Sequence, residues 1–298
     1  MTLQLLRARR FAATVVFALA AISLCLAQEP AASPLLRRYT EGEKLIYHMK
    51  GSNDGWNYEV QANGFVKKDA KGHFVEEYAW SDFKSSAPMT MSPASLTFRQ
   101  TLSLDPATPP SIPNLSVVQP FLIGPITDLL TFYADLWMAT KQSTLAHAGD
   151  HTYIKLGIPA SWADGNYVIL GQDCVDFDLT LKELNAANQT ATLLVKHVPP
   201  VKPAVKLPAP WMQVPVADTA NNWIDVKKNA AGKYLAEVGK ETFDVEIKVS
   251  LKDGKILAAT LENLVQAHRR ECSGAAYVEC GPATDHQIRR HIELSLVP

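Results

Sequence analysis

The fold class of this chain is decided by the stretch Phe243-Asp244-Val245-Glu246-Ile247-Lys248-Val249-Ser250-Leu251-Lys252-Asp253-Gly254-Lys255-Ile256-Leu257-Ala258-Ala259-Thr260-Leu261. On both sides of Asp253-Gly254 apolar and polar residues alternate, which is the period of a strand with one buried face. An Asp-Gly pair between two such runs is a strong hairpin signal, because glycine accepts the positive φ of the turn. The stretch therefore predicts two antiparallel strands joined by a turn.

The same two-residue period recurs along much of the chain. In Val175–Leu181 the odd positions are apolar and the even positions are polar. In the segment 74–80 the rings of Phe74, Tyr78 and Trp80 fall on one face of a strand. Further strands are expected at residues 95–104, 188–198 and 286–297. We therefore expect a mainly β protein with one large curved antiparallel sheet, built as a meander or an open barrel.

One segment has a helical period instead. After Pro125, apolar residues recur at spacings of three and four, at Ile126, Leu129, Leu130, Tyr133, Leu136 and Trp137. The other side of the helix carries Thr127, Asp128, Thr131 and Asp135. The pattern predicts an amphipathic helix over residues 125–138 that packs its apolar stripe on the sheet. A membrane-surface role is disfavoured, since the polar side has no Lys or Arg to meet lipid phosphates.

Two segments of the chain are similar to each other. Residues 66–77 read Val-Lys-Lys-Asp-Ala-Lys-Gly-His-Phe-Val-Glu-Glu, and residues 226–237 read Val-Lys-Lys-Asn-Ala-Ala-Gly-Lys-Tyr-Leu-Ala-Glu. Each reads as a solvated reversal with glycine at its exit, between two strands. An old duplication would give two half-sheets, 41–198 and 216–298, joined by the proline-rich connection 199–215. A single domain over residues 41–298 that uses one hairpin twice also explains the similarity.

The first 27 residues have the layout of a secretory signal peptide. A basic start is followed by an uncharged apolar run from Phe11 to Leu26, and Cys25-Leu26-Ala27 places small residues where a signal peptidase reads. The run is about 16 residues, short of the roughly 20 that cross a bilayer, which favours cleavage over a retained anchor. We expect an exported protein, periplasmic or extracellular, with no membrane-spanning segment after cleavage. Residues 28–40 are expected to be a flexible spacer.

The remaining chain would be mildly acidic. Removal of the signal lowers Lys plus Arg from 29 to 26 and leaves Asp plus Glu at 30, so the formal charge becomes −4. A mildly acidic chain is a poor match for nucleic acid or for an anionic membrane surface. No cofactor is expected, because no phosphate-cradling glycine loop or other recognisable cofactor motif is present.

Three cysteines remain after the signal peptide. Cys272 and Cys280 lie close together in sequence and in an oxidising compartment, so we expect a disulfide between them. Their seven intervening residues do not match the spacing of zinc ligands. Cys174 is left over between acidic residues that disfavour its thiolate, and it is expected to be a structural free cysteine.

Two basic pairs flank the expected disulfide loop, Arg269-Arg270 and Arg289-Arg290. The usual explanation for such pairs is a solvated strand face with cross-strand ion pairs. They would form an anion site only if the fold brings them together.

Candidate catalytic residues are sparse. No serine nucleophile elbow or zinc-protease helix is present. His147 and His151 are four residues apart and would share a helix face that could bind a metal, but the glycine between them favours a loop with solvated histidines. Asp176 and Asp178 project from one strand face and, with Glu76, are candidates for acid–base catalysis. The polar face of a half-buried strand has the same appearance.

The aromatic residues are the candidates for a binding surface. They are Phe74, Tyr78 and Trp80 on the predicted strand, and Tyr133 and Trp137 on the predicted helix. Packing in the protein core is the alternative role for all five of them.

Two classes of function fit these observations. The first is a non-catalytic exported protein that binds a lipid, another apolar small molecule or a protein partner on the curved sheet, with helix 125–138 as plug or lid. This architecture resembles that of periplasmic lipid and lipoprotein carriers, a likeness of fold without a shared motif. The second is a secreted carboxylate-dependent hydrolase of polysaccharide. A structural or interaction protein of the envelope is a further alternative. We expect the binding function, because no catalytic constellation is visible.

Overall fold

The structure of the protein is a computed structural model that describes residues 33–87, 89–155, 160–164, 167–171, 176–198, 223–229, 231–275, 277 and 279–298. Its strands are β1 (Lys44–Asn53), β2 (Trp56–Lys68), β3 (Phe74–Ser85), β4 (Arg99–Leu102), β5 (His151–Ile154), β6 (Ala160–Asp164), β7 (Tyr167–Gly171), β8 (Asp176–Asn185), β9 (Thr190–Val198), β10 (Trp223–Lys228), β11 (Tyr234–Ser250), β12 (Ile256–Cys272) and β13 (Thr284–Leu296). Its helices are α1 (Pro93–Thr97) and α2 (Pro120–Thr140), with a short 3-10 turn at Leu115–Val117.

All of these strands belong to one antiparallel sheet. The hydrogen-bonded order is β4-β3-β2-β1-β13-β12-β11, so the first and last strands are neighbours. At β11 the sheet forks. Tyr234–Gly239 pairs with β10, which leads to β7 and β6, whereas Phe243–Ser250 pairs with β9, which leads to β8 and β5. The prediction of a mainly β protein with one large, curved and open antiparallel sheet is confirmed.

The turn predicted at Asp253-Gly254 joins β11 to β12. Gly254 has a φ of +73° and donates its N–H to the carbonyl oxygen of Ser250 at 2.8 Å. Beyond the turn the two strands pair as far as Tyr234 and Cys272, which makes a long hairpin. The hairpin prediction is therefore confirmed, with a loop longer than the two residues of the tightest turns.

The two similar sequence segments form the same turn. Asp69 donates its N–H to the carbonyl of His73 at 2.8 Å, and its side chain accepts the N–H of His73 at 2.9 Å. Asn229 and Lys233 make the same two bonds, also at 2.8 and 2.9 Å. The exit glycines have φ values of +86° and +81°. The hairpins β2–β3 and β10–β11 thus have the same turn structure. Either a duplication or the separate use of one hairpin type explains this.

Helix α2 is longer and more deeply buried than the sequence predicts. It begins at Pro120, and Pro125, where the predicted helix begins, lies inside it. The polar side of the predicted amphipathic helix is not a solvated face, since Asp128 and Asp135 are only 3% and 1% exposed. The reason is that the sheet curls around the helix and covers both of its sides.

The strand predicted at residues 95–104 is shorter in the structure. Pro93–Thr97 forms helix α1 instead, and the strand β4 keeps four residues, Arg99–Leu102. The cause is local, because the Ser92 hydroxyl caps α1 by accepting the N–H of Ser95 at 3.2 Å, and proline suits the first helical position.

The flexible spacer predicted over residues 28–40 is corrected for its described part. From Ser33 onward the chain packs on the sheet, because Leu35 is fully buried and Arg37 forms an ion pair with Glu76. A buried leucine and a buried ion pair fix the segment 33–40, which we call the N-terminal segment. The small residues and prolines of this stretch are typical of a flexible spacer, so the sequence pattern does not predict the packing.

Several predicted features lie outside the described residues. These are the signal peptide at 1–27, the first part of the spacer, the proline-rich connection 199–215 and Cys174. Export and the division into two half-sheets stay predictions.

Cys272 and Cys280 form the predicted disulfide, with their Sγ atoms 2.00 Å apart. The two residues also face each other as an isolated backbone bridge at the end of β12. The disulfide therefore closes a short loop just before β13.

Reduction of Cys272–Cys280 is expected to lower the free energy of unfolding by about 2–3 kcal/mol, because the cross-link removes loop entropy from the unfolded chain. Urea unfolding with and without a reductant measures the change. The double variant Cys272→Ser/Cys280→Ser provides a second route to the same number. An unchanged unfolding midpoint in both experiments would contradict the prediction.

Candidate functional site

Helix α2 fills the space on the concave face of the sheet, between the inward-facing side chains of β1–β4, β8, β9 and β11–β13. We call this space the lumen. On one side of α2, Asp128 and Asp135 contact β13 and β9. On the other side, the carbonyl of Ile126 accepts from Gln100 of β4, and Tyr133 contacts β3. Because residues two apart lie on opposite sides of a helix, α2 touches two opposite walls of the sheet.

A row of inward-facing side chains crosses five strands beneath α2. Cross-strand pairing connects Phe177, His197, Phe243, Asn263 and Arg290 in that order, from β8 to β13. The ring of His197 contacts those of Phe177 and Phe243, with centroids 4.7 and 4.9 Å away. The row is therefore aromatic towards β8 and polar towards β13.

Helix α2 runs along this row and therefore across the strands. Asp128 forms an ion pair with Arg290, and Asp135 Oδ1 lies 2.9 Å from His197 Nε2. Asp128 and Asp135 are two helical turns apart, about 10 Å along the axis. Arg290 and His197 are three strand spacings apart, about 14 Å. The two distances are similar, so Asp128 can pair with Arg290 while Asp135 pairs with His197.

The carboxylate of Asp128 sits in a recess of polar side chains. Arg290 donates to one of its oxygens, and the hydroxyl of Tyr58 donates to the other at 3.3 Å. Asn263 accepts from Arg290 at 3.4 Å and donates to Glu241 at 3.1 Å. Burial raises the pKa of Asp128, and Arg290 offsets this only in part. Burial lowers the pKa of Arg290, but the charge of Asp128 outweighs it, so the pKa lies above its ordinary value.

A second polar cluster lies on the opposite wall, around Glu76 of β3. Glu76 is 1% exposed, and it accepts from Arg37 Nε at 3.0 Å and from the Tyr78 hydroxyl at 2.9 Å. The hydroxyl of Tyr133 on α2 donates to the same carboxylate. Burial, followed by the charge of Glu76, raises the pKa of both tyrosines. Glu76 thus connects α2 to the N-terminal segment.

Two tyrosines reach these clusters by lying over glycines of the neighbouring strand. Gly51 pairs with Tyr58, and Gly64 pairs with Tyr78. A Cβ atom added at Gly51 would lie 2.2 Å from Tyr58 Cε1, and one at Gly64 would lie 2.4 Å from Tyr78 Cε1. The two glycines therefore give the rings the room in which they lie.

The variant Gly51→Ala is expected to lower the free energy of unfolding by about 1–3 kcal/mol, because the new methyl group overlaps the buried Tyr58 ring. Gly124 on α2 is the matched control, since a Cβ there meets nothing within 4 Å. Gly124→Ala is expected to stabilise the protein by about 0.5–1 kcal/mol through helix propensity. Urea unfolding of both variants provides the comparison, and equal signs for the two changes would contradict it.

Polar atoms on the wall formed by β2–β4 lack a partner. Trp80 Nε1 and Gln100 Oε1 are buried and have no hydrogen-bond partner among the described residues, and Trp56 Nε1 is in the same condition. Trp80 and Gln100 are 2% and 0% exposed. An unsatisfied buried polar group costs about 1–3 kcal/mol. This wall thus has two donors and one acceptor without a hydrogen-bond partner among the described residues.

The candidate catalytic carboxylates do not converge. Glu76 lies in the lumen, whereas Asp176 and Asp178 lie on the outer face of β8, opposite its buried positions. Tyr153 donates to Asp176 at 2.7 Å, and His151 Nε2 lies 2.5 Å from Asp178. These two aspartates are parts of an exterior polar face, as a half-buried strand predicts.

The two candidate metal-binding histidines have separate partners. His147 is solvent-exposed and lies 3.4 Å from Asp150, whereas His151 pairs with Asp178. In the ranges that the structure describes, no group of three or more His, Cys, Asp or Glu side chains is arranged to hold a metal ion.

The candidate aromatic residues all belong to the core around α2. Tyr78, Trp80 and Tyr133 are buried between the sheet and the helix. Phe74 and Trp137 are partly buried against the same core. A ligand could contact the first three only after α2 has moved.

Sequence reasoning missed Arg37, His197 and Asn263, and it gave Arg290 only as one half of a basic pair. A signal for Arg290 is nevertheless present, because Ile288–Leu294 places apolar side chains at every even position except this one. A charged residue on the apolar face of a strand indicates a buried partner. That partner, Asp128, is 162 residues away and cannot be identified from the pattern.

The described surface also has a cavity of about 500 Å³ outside the lumen, near the ends of β1, β2 and β3. Its lining includes Lys50, Glu59, Lys84, His291 and Glu293. Most of the residues that line it are polar or charged, whereas the inward-facing residues of the lumen are mostly apolar.

His291 is expected to titrate above its ordinary pKa. Partial burial lowers the pKa, but hydrogen bonds and charge from Glu293 and Glu262 raise it more. A raised histidine pKa adds stability below about pH 6.5, and that stability is lost as the pH rises through the folded-state pKa. A proton NMR titration of the ring, assigned through His291→Gln, measures the value. A pKa at or below the ordinary value would contradict the prediction.

No helix in the described part of the chain is both long enough and apolar enough to cross a membrane. No protein-family model matches the chain, and no curated protein matches it. Function is therefore inferred from the fold and the lumen alone.

Proposed function

We propose that this is an exported, non-catalytic protein that binds an apolar or amphipathic small molecule in the lumen, with α2 as a lid that moves. The observation that carries the proposal is the position of α2. A single, mostly apolar helix occupies the concave space that a curved sheet offers to a ligand.

The lining of the lumen supports this proposal. Inward-facing residues of the sheet are mostly large and apolar, among them Tyr47, Trp80, Phe177, Leu193 and Leu261. A few polar groups interrupt this surface at the Glu76 and Asp128 clusters. An apolar pocket with a small number of placed polar groups is typical of small-molecule sites.

The chain that leads into α2 exposes apolar side chains. Met89, Leu96, Ile112 and Val117 are each 41–51% exposed. Hydrogen bonds of the Gln119 side chain tie the start of α2 to this part of the chain. Exposed apolar groups of this kind mark places where a protein meets apolar partners or ligands. We therefore place the entrance to the lumen at the N-terminal end of α2.

A hydrolase function has less support. The three candidate carboxylates are divided between the lumen and the outer face, and Glu76 is already engaged by an arginine and two tyrosines. Retaining and inverting glycosidases need two carboxyl groups that face each other across the scissile bond. Export is proposed on residues 1–27 and on the disulfide, which suits an oxidising compartment.

Mass spectrometry under non-denaturing conditions tests the proposal on protein purified from its own envelope. A co-purifying mass of lipid size supports it. Fluorescence titration of the delipidated protein with N-phenyl-1-naphthylamine tests the same site with a known apolar probe. Ligand-free protein that also fails to bind the probe would overturn the binding function.

Hydrogen exchange distinguishes binding in the lumen from binding on the surface. Saturation with the probe is expected to accelerate exchange of the α2 amides, because the lid must leave the lumen. The β11–β12 hairpin is the internal control, and its amides are expected to keep their exchange rates. Probe binding with unchanged exchange in α2 would contradict the role of the helix as a lid.

A further inference from the structure

We infer that Arg290 and Tyr58, with Asn263 as the residue that positions Arg290, form the headgroup site for a long-chain carboxylate, and that Asp128 of α2 occupies this site while the lumen is closed. This inference rests on the proposed function, because the alkyl chain would lie in the space that α2 vacates.

The chemistry of the recess suits a carboxylate. The guanidinium of Arg290 donates to one oxygen of Asp128, and the hydroxyl of Tyr58 donates to the other at 3.3 Å. A planar guanidinium matches the geometry of a carboxylate better than a lysine ammonium does. The two donors come from β13 and β2 of the sheet, so they stay in place when the helix moves.

The donors are held by the sheet itself. Asn263 accepts from Arg290, and its own amide donates to the carbonyl of Thr242 at 3.0 Å and to Glu241 at 3.1 Å. Tyr58 lies over a glycine, as described above. The site is thus preorganised on strands, which lowers the cost of ordering it around a ligand.

Movement of α2 changes the charge balance at this site. Asp128 leaves with the helix, and Arg290 then remains as a cation in a mostly apolar space. Glu241 is the nearby acid that stays on the sheet, where it accepts a hydrogen bond from Asn263 at 3.1 Å. A buried charge without a partner is costly, so a ligand with an anionic group is favoured over a neutral one.

The surroundings of the recess suit an alkyl chain. From Arg290 the row continues towards Phe243 and Phe177, along the path that α2 takes in the closed structure.

Displacement of the bound fluorescent probe from the delipidated protein tests the inference. The competitors are palmitate, its methyl ester and the alcohol of the same chain length, so that the headgroup alone differs. Palmitate is expected to bind about tenfold or more tightly than the ester, which is the effect of one hydrogen bond to a charged group. Equal affinities would overturn the headgroup site and leave the proposed function standing. Failure of all three to displace the bound probe would overturn the headgroup site, whereas failure of the probe itself to bind would overturn the proposed function.

Two variants test which residues cause the preference for palmitate over its methyl ester. Arg290→Gln is expected to abolish the difference between palmitate and its ester. Asp128→Asn weakens the closed state that every ligand has to open, and it is expected to raise the affinities for palmitate and for its ester by about the same factor, so that the preference for palmitate is kept. A retained preference in Arg290→Gln would overturn the inference.

Control variants separate the effect from folding and from general charge. Lys182→Gln removes a cation from an exposed pair with Glu246, and it is expected to keep the preference for palmitate. If Arg290→Gln alone fails to fold, the double variant Asp128→Asn/Arg290→Gln replaces the ion pair by two neutral polar residues. In that variant too, the same affinity for acid and ester supports the inference, and a preference for the acid contradicts it.

Discussion

Replacement of Glu76 by alanine is expected to lower the free energy of unfolding by about 3–5 kcal/mol, because it breaks a buried ion pair by removing one partner. Arg37 is 6% exposed and pairs with two carboxylates, Glu76 and Glu43. In the variant its guanidinium keeps Glu43 alone of these two. The hydroxyls of Tyr78 and Tyr133 lose their acceptor in the same change. The loss therefore reaches the sheet, α2 and the N-terminal segment at once.

Urea unfolding measures this effect, and the neighbouring residue supplies the control. Glu77 points to the opposite face of β3 and pairs with Lys67 at 2.6 Å, where the side chains of Lys67 and Glu77 are 40% and 32% exposed. Glu77→Ala is expected to cost less than about 1 kcal/mol, because exposed ion pairs contribute little. Glu76→Gln is expected to lie between the two, since it keeps hydrogen-bonding atoms and loses the charge. Equal losses for the two alanine variants would contradict the role assigned to Glu76.

Replacement of Arg290 by methionine is expected to cost about 3–5 kcal/mol as a single change, because Asp128 is left as an unpaired charge beneath the sheet. The double variant Asp128→Leu/Arg290→Met is expected to recover most of this loss. Apolar residues of similar volume often replace a buried ion pair at little cost. A double-mutant cycle on the free energy of unfolding gives the coupling between the two side chains.

The exposed pair Lys182–Glu246 offers a matched cycle, since its nitrogen and oxygen are 2.9 Å apart on the outer face of the sheet. Its coupling is expected to be below about 1 kcal/mol. A coupling at Asp128–Arg290 no larger than this would mean that the buried pair holds α2 no more strongly than an exposed pair would. The cycle also fixes the folding baseline for the ligand experiments.

The parts of this fold that depend on neighbouring residues could be predicted from the sequence. The β11–β12 hairpin follows from alternation around Asp253-Gly254, and the cysteine pair follows from its spacing. Helix α2 follows from its 3.6-residue period, although its start does not, because Pro120 and Pro125 both suit a first turn. These predictions hold because each depends on contacts within a few residues.

The burial of the polar side of α2 could not be predicted in the same way. It depends on how far the sheet curls, and that curvature is set by strand pairing over long distances in sequence. Asp128 and Asp135 read as solvent-facing residues of an amphipathic helix, and only the folded sheet supplies Arg290 and His197 as their partners. The N-terminal segment is wrongly predicted to be flexible for the same reason, because Arg37 pairs with Glu76, which lies on strand β3.

The basic pair Arg289-Arg290 shows what the sequence can and cannot predict about a charged residue. Alternation places its two residues on opposite faces of β13, so Arg289 is exposed while Arg290 turns inward. The sequence suggests an anion site only if both basic pairs come together. Of the four arginines in the two basic pairs, Arg290 is the one that the described structure places against α2, where it pairs with Asp128.

The pairing of β1 with β13 has a consequence for the order in which the molecule can fold. The two strands pair at seven positions, and they come from opposite ends of the described chain. Contacts this distant in sequence form late, because a long loop must close first. During synthesis from the N-terminus, β1 therefore has one unpaired edge until Thr284–Leu296 has been made. A chain stopped before Thr284 would have an incomplete wall and no Arg290 in its interior.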